Sequence, residues 1–252
     1  MSVFRSQISV LQRELSRAAD VGTKVWWENY VKDSAPFRGV KMPVIRAKLH
    51  AWHEDGVAER LDQSEQVTLA LNLIERKFVE DKLAGILFLE EILLPRGAID
   101  CRRDLERFAA LFHPGGIYDW NVCDWFCVKV LGPMIRDRGK RCASMLAQWR
   151  SAPFLWQARA ALVPFVNVAH DTAYHPMIAK TCNTLIRREE RFAKTAVGWV
   201  LRDVSKHDRG FVERVLEDNL MHFSLESLRN ATKYFDKARQ QDMLMRLRSK
   251  GQ

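Results

Sequence analysis

The sequence predicts an all-α protein, a single-domain solenoid of helical repeats, and three observations carry that prediction. Apolar residues recur at i, i+3, i+4 and i+7 from end to end, whereas alternating apolar and polar runs do not recur. Breaks at Pro36 to Gly39, Pro43, Gly56, Pro95 to Gly97, Pro114 to Gly116, Gly139, Pro153, Pro176 and Gly210 cut that pattern into segments of ordinary helix length. Four blocks align along the chain, at 80–86, 120–126, 156–162 and 192–198, with starts 40, 36 and 36 residues apart. That spacing is close to the ~40-residue period of stacked helical pairs. Each block opens on an aromatic or acidic residue and continues with small and apolar ones, as expected of helices packed closely against neighbouring repeats. No linker interrupts the pattern, so 1–252 reads as one domain.

The composition is that of a globular chain: 252 residues, 47% hydrophobic and 28% charged, enough to bury one sizeable core. Forty Lys and Arg stand against 31 Asp and Glu, a net charge of +9 spread over most segments, which favours a polyanionic partner. No run approaches the ~20 apolar residues of a membrane span, and the N-terminus lacks the apolar core of a secretory signal. The five cysteines are odd in number and contain no CxxC pair, which fits a reduced intracellular compartment. Cys123 and Cys127 have no histidine at zinc spacing, the seven histidines form no HExxH or triad pattern, and no Gly-rich phosphate loop is present. Neither a metal nor a cofactor is expected.

Taken in order, the elements justify themselves locally. The first twenty residues place Phe4, Ile8, Leu11 and Leu15 on one face, as an amphipathic helix packing on the next does; a mitochondrial presequence would share the arginines but not Glu14 and Asp20. Residues 30–43 form a Pro- and Gly-punctuated loop in which Tyr30, Arg38 and Lys41 are placed to meet a polyanion. Lys41 precedes a proline able to open the next helix, and such loops are also common plain connectors.

Trp120 and Asp124 are i and i+4, on one helical face with Cβ atoms ~6 Å apart; a core tryptophan beside a solvated aspartate gives the same pattern. Arg159 follows Trp156 by three among Ala158, Ala160 and Ala161, small neighbours that leave a planar guanidinium accessible to a phosphate, or paired with a carboxylate such as Asp124. Trp199, Arg202 and Lys206 fall at i, i+3 and i+7 in a stripe that suits backbone phosphates and sugars, or an amphipathic boundary with snorkelling cations. Asp124 to Arg159 is 35 residues and Arg159 to Trp199 is 40, so the repeat would bring Trp120, Asp124, Arg159 and Trp199 to one wall. Two indoles, one carboxylate and one guanidinium suit a positively charged sugar held beside a phosphate.

With these residues in place, the chain resembles the AlkD-type alkylpurine DNA glycosylases, built of HEAT-like repeats. The resemblance rests on 196–203 (Ala-Val-Gly-Trp-Val-Leu-Arg-Asp), the Trp120-to-Asp124 pair, 156–161, and the 30–43 loop with Phe37, Gly39 and Pro43. It implies a right-handed α-solenoid with DNA in a concave groove. Trp120, Asp124, Arg159 and Trp199 would be catalytic, and Tyr30, Arg38, Lys41, Trp156, Lys194, Arg202 and Lys206 would contact DNA.

The implied activity is monofunctional excision of cationic N3- or N7-alkylated purines from duplex DNA, with the lesion still stacked, no cofactor and no lyase step. Asp124 would stabilise the oxocarbenium ion and position water. A monomer is implied, cytoplasmic in a bacterium and nuclear in a eukaryote. Two positions depart from the family: Asp119 stands where an aromatic is expected, a second negative charge near the phosphates, and Lys41 where a neutral polar group is usual. The alternative readings are a non-catalytic binder of damaged or branched DNA and a HEAT-type scaffold for proteins.

Overall fold

The computed structural model describes residues 4–249 other than 57, 59 and 60. Among the described residues there is no strand. The α-helices are α1 (Arg5–Arg17), α2 (Val21–Tyr30), α3 (Met42–Glu54), α4 (Gln63–Ile74), α5 (Val79–Leu87), α6 (Cys101–Ala109), α7 (Trp120–Phe126), α8 (Gly132–Ala147), α9 (Leu155–Ala160), α10 (His175–Leu185), α11 (Arg191–Val204), α12 (Arg209–Asn219), α13 (Leu225–Ala231) and α14 (Lys237–Ser249). The chain divides into two compact units, Met1–Val130 and Leu131–Gln252.

In the first unit α1 packs on α3, α3 on α5 and α5 on α7, with α4 against α5. Alternate helices therefore form a row, the register of stacked helical pairs. α1 buries Ile8, Leu11 and Leu15, so its apolar face is core. In the second unit α9 packs on α11 and α11 on α13, while α10 packs on α8 and α12. The four aligned blocks correspond to α5, α7, α9 and α11, each beginning within one residue of the position read from sequence.

Several predicted breaks are used differently. Pro43 and Pro176 lie in the first turns of α3 and α10, where a missing N–H costs nothing, and Gly210 lies in the first turn of α12. Gly139 kinks α8 from within, at φ 69°. After α5 and α7 the chain continues as π-helical turns, Phe88–Leu93 and Cys127–Leu131, which apolar periodicity does not reveal.

Two glycines set the closest helix approaches. A Cβ at Gly85 would stand 2.6 Å from the Ala70 carbonyl oxygen of α4, and one at Gly198 would stand 2.5 Å from the Ser227 carbonyl oxygen of α13. Backbone thus lies against backbone at one repeat helix in each unit, near the C-terminal end of α5 and midway along α11.

The most unusual feature of the core is three consecutive charged residues in α5, Glu80, Asp81 and Lys82, all fully buried. Isolated buried charges cost several kcal/mol each, so each needs its own compensation. Glu80 finds it in the 30–43 loop: its carboxylate accepts the backbone N–H groups of Arg38 at 2.9 Å, Gly39 at 2.8 Å and Val40 at 3.0 Å. Gly39 has φ 97°, and a Cβ there would meet the Asp20 carbonyl oxygen at 2.1 Å, so only glycine fits this clamp. Asp81 accepts from the Arg38 guanidinium at 2.7 Å and from the Gln12 amide at 2.9 Å.

Lys82 faces the other way and uses all three of its donors on backbone carbonyls, Ile74 at 2.9 Å, Gly115 at 2.9 Å and Gly116 at 2.8 Å. It thereby fixes the turn that leads into α7. Burial lowers the Lys82 ammonium to about 8, against the opposing pull of Asp119 and Asp81.

Two consequences are measurable. Gly198→Ala gains up to about 1 kcal/mol of helix propensity but must displace α13, which costs about 1–3 kcal/mol; urea denaturation is expected to show a net loss of stability. For Lys82, the folded value lies below the ~10.4 of an unfolded lysine, so the unfolded chain binds more protons between pH 8 and 10. Stability relative to Lys82→Met is therefore expected to rise with pH across that window, read from denaturation at successive pH values. A flat difference would mean that Lys82 keeps an ordinary value.

Candidate active site

The α7 helix starts where Lys82 has fixed the preceding turn. Asp119 caps it, its Oδ1 accepting from Asn121 N at 2.9 Å and Val122 N at 3.1 Å. Asp119 is 1% exposed, and burial raises its carboxyl above the usual range despite those bonds and the nearby Lys82, with the charge of Asp124 adding to the rise. Its sequence reading as a further negative charge turned toward phosphates is therefore corrected: it is a buried helix cap.

Trp120 and Asp124 follow on α7, both half-buried and one turn apart. The Tyr30 ring meets Trp120 edge-on, with centroids 5.5 Å apart. Tyr30 ends α2 and also stacks on Trp26 at 5.2 Å, while Trp27 stacks on Phe37 at 5.5 Å. A small cavity of about 60 Å³ lies behind this aromatic group, lined by Trp27, Phe37, Glu80, Asn121 and Trp125 among others. Lys41 is exposed at the N-cap of α3. Arg38 differs from expectation: besides Asp81, its Nη1 donates to Ser16 Oγ at 2.9 Å and its guanidinium covers the Phe78 ring at 4.2 Å. Its fork is committed to holding the loop.

In the second unit Arg159 is 4% exposed. Its Nη1 donates to the Phe192 carbonyl oxygen at 2.7 Å and more weakly to Thr195 Oγ1 at 3.4 Å, and its guanidinium lies 5.9 Å from the centre of the Trp199 ring. The expectation of an openly accessible guanidinium is corrected, because small neighbours on α9 allow close packing onto α11 rather than exposure. Trp156 meets Phe192 at 5.1 Å, and Lys194 donates to the His222 carbonyl oxygen at 2.8 Å.

One residue that sequence reasoning passed over organises the rest. Asp203 accepts from Trp199 Nε1 at 2.8 Å, Arg202 at 3.2 Å and Lys206 at 2.5 Å. Burial pushes its carboxyl up, but the bonds from Lys206 and Arg202 outweigh that and hold it below the usual range. The Trp199, Arg202 and Lys206 stripe exists, with its charge halved by a carboxylate on the same helix. The signal was available, since Asp203 stands four residues after Trp199, one after Arg202 and three before Lys206.

Cys123, Cys127 and Cys182 are buried and take no part in a disulfide, whereas Cys101 and Cys142 are disulfide-bonded, unlike the wholly reduced set expected. Among the described residues no group of three or more His, Cys, Asp or Glu could hold a metal ion, and no helix is long and apolar enough to cross a membrane.

Comparison with known proteins places the chain in a family. The model of the family described as DNA alkylation repair enzyme matches residues 11–235, spanning both Trp120–Asp124 and Arg159–Trp199. No curated protein sequence matches the chain. Among solved structures, a predicted DNA alkylation repair enzyme from Enterococcus faecalis superposes with a TM-score of 0.71 at 18% identity, covering 87% of this chain and 97% of that one. Pseudomonas fluorescens alkylpurine DNA glycosylase AlkC, bound to DNA containing an abasic site analog, superposes with a TM-score of 0.56 at 15% identity, covering 94% of this chain and 65% of that one. At these identities the likeness is one of fold. The match to the family model over most of the sequence goes further: the chain belongs to the DNA alkylation repair enzymes.

Proposed function

We propose that this protein is a monofunctional DNA glycosylase that hydrolyses the N-glycosidic bond of cationic N3- or N7-alkylated purines in duplex DNA. The observation that carries the reading is the pairing of Trp120 with Asp124 on one short helix, half-exposed and flanked by Tyr30, at a helix start braced by buried charges. Family membership and the fold shared with an alkylpurine DNA glycosylase support it.

The chemistry asks little of the protein. An alkylated purine already carries positive charge and departs as a neutral base, so no group need protonate it. As the bond to C1′ breaks, its electron pair leaves with the purine and positive charge develops on the sugar. The Asp124 carboxylate opposes that charge and orients a water molecule, whose oxygen bonds to C1′ and whose proton passes to the carboxylate or solvent. The indole face of Trp120 adds attraction of about 0.5–2 kcal/mol. A second carboxylate, as sugar-polymer hydrolases use, is not needed. The product is an abasic site in an intact strand.

Arg159, Arg202 and Lys206 take a narrower role in this reading than open phosphate contacts. Arg159 sets the position of the Trp199 ring, and Asp203 holds the Trp199 indole together with Arg202 and Lys206. Lesion choice follows the intrinsic lability of the bond, with the base left stacked in the duplex. The partner is double-stranded DNA, met by a monomer.

Single-turnover release of 7-methylguanine from a duplex oligonucleotide at fixed salt checks the reading. The intact chain is expected to release the base, and Asp124→Asn to slow release by about 100-fold or more, the scale of losing one charge-stabilising group. Release at the same rate by both would remove Asp124 from the mechanism. Salt-sensitive binding without any release by the intact chain would leave a DNA binder instead.

A further inference from the structure

The α2 helix is placed as a surface element, not a core one. None of its ten residues is buried. It contributes Val21, Val25, Trp26 and Tyr30 to the large exposed hydrophobic residues, with Trp26 58% and Tyr30 54% exposed. An exposed tryptophan on a helix that buries nothing is held there by its surroundings, and those restraints are specific. Asp20 caps the helix through Thr23 N at 2.7 Å and ties it to Gly39 through a backbone bond of 3.0 Å. The stacked Trp27–Phe37 pair fixes its inner side, and Glu80 fixes the loop behind. Beyond its C-terminus Lys32 and Asp33 are both left-handed at φ 55°, a conformation that costs energy for residues other than glycine and persists only where surrounding structure imposes it.

The rings of Trp26 and Tyr30 lie 7° from parallel with centroids 5.2 Å apart, and Tyr30 reaches Trp120 of the proposed site. Lys32 and Lys41 are exposed on either side of the loop that follows. Parallel aromatic rings among lysines match flat π-systems bearing phosphates better than the branched aliphatic side chains of a protein partner.

We propose that Trp26, supported by Tyr30, stacks an unpaired nucleobase of bound DNA, so that the protein prefers duplexes carrying a displaced or unpaired base near the contact. This rests on the reading that Trp120 faces DNA, and it adds a contact separate from Asp124. Trp26 acts in binding and preference, and touches no reacting atom.

Binding of the full chain to a fully paired duplex and to the same duplex with one unpaired adenine, by fluorescence anisotropy, tests it. Trp26→Ala is expected to weaken binding of the unpaired-base duplex by about 10-fold, within the range of one base–aromatic stack, and to change the paired duplex little. Trp26→Phe restores most of the preference. Asp124→Asn keeps it whatever happens to base release, so a failed glycosylase reading and a failed platform are told apart. Equal weakening on both duplexes, or no weakening, overturns the proposal, the latter leaving this face to a protein. A chain that binds neither duplex overturns it together with the DNA reading.

Discussion

The candidate site in the first unit depends on a carboxylate that never meets solvent. Glu80 gathers three consecutive backbone N–H groups of the 30–43 loop, Asp81 holds the Arg38 side chain of the same loop, and Lys82 gathers carbonyls of the turn before α7. Three adjacent residues of α5 thus brace, in opposite directions, the two segments that bring Tyr30 and Trp120 together. Replacing them by apolar residues of similar size would avoid a desolvation cost but would release both segments at once. The charges hold specific geometry at the expense of some stability: Glu80 and Lys82 are satisfied by backbone groups, whereas Asp81 takes both of its bonds on Oδ2 and buries Oδ1 without a partner.

The second unit uses the same device at smaller scale. Arg159 and Asp203 are drawn inward to hold Phe192 and Trp199, and Arg202 and Lys206 are tied to Asp203. A net charge of +9 therefore overstates the cations left for a polyanion. Long basic side chains of the second unit act first as braces for the aromatic faces of Phe192 and Trp199. Trp120 and Trp199 are each held from one side by polar bonds or ring contacts and remain half-exposed on the other.

Much of the helical register was legible in the sequence because close helix packing leaves a composition trace. Gly85 and Gly198 fall late in their blocks, at the sixth and seventh places, and a Cβ at either would strike a neighbouring backbone. The i, i+4 spacing set Trp120 and Asp124 one turn apart on one helix face, as a core tryptophan beside a solvated aspartate also would, and only the family resemblance gave the pair a role. What escaped were the partners of charged groups. Apolar periodicity tells which face is buried, yet it treats Glu80, Asp81 and Lys82 as breaks in a stripe and not as a clamp on residues forty positions away. Asp119 and Arg159 were misjudged for the same reason: a charged residue reads as exposed until the carbonyl or amide that satisfies it is known. The π-helical turns after α5 and α7 leave no periodic mark at all.

Amide hydrogen exchange at Arg38, Gly39 and Val40, in the intact chain and in Glu80→Gln, tests the clamp most directly. Protection at all three amides approaching that of the α5 core, lost in the variant while α4 and α5 stay protected, is the predicted result. Fast exchange at these amides in the intact chain, or protection unchanged by the substitution, would contradict the view that a buried carboxylate sets this site.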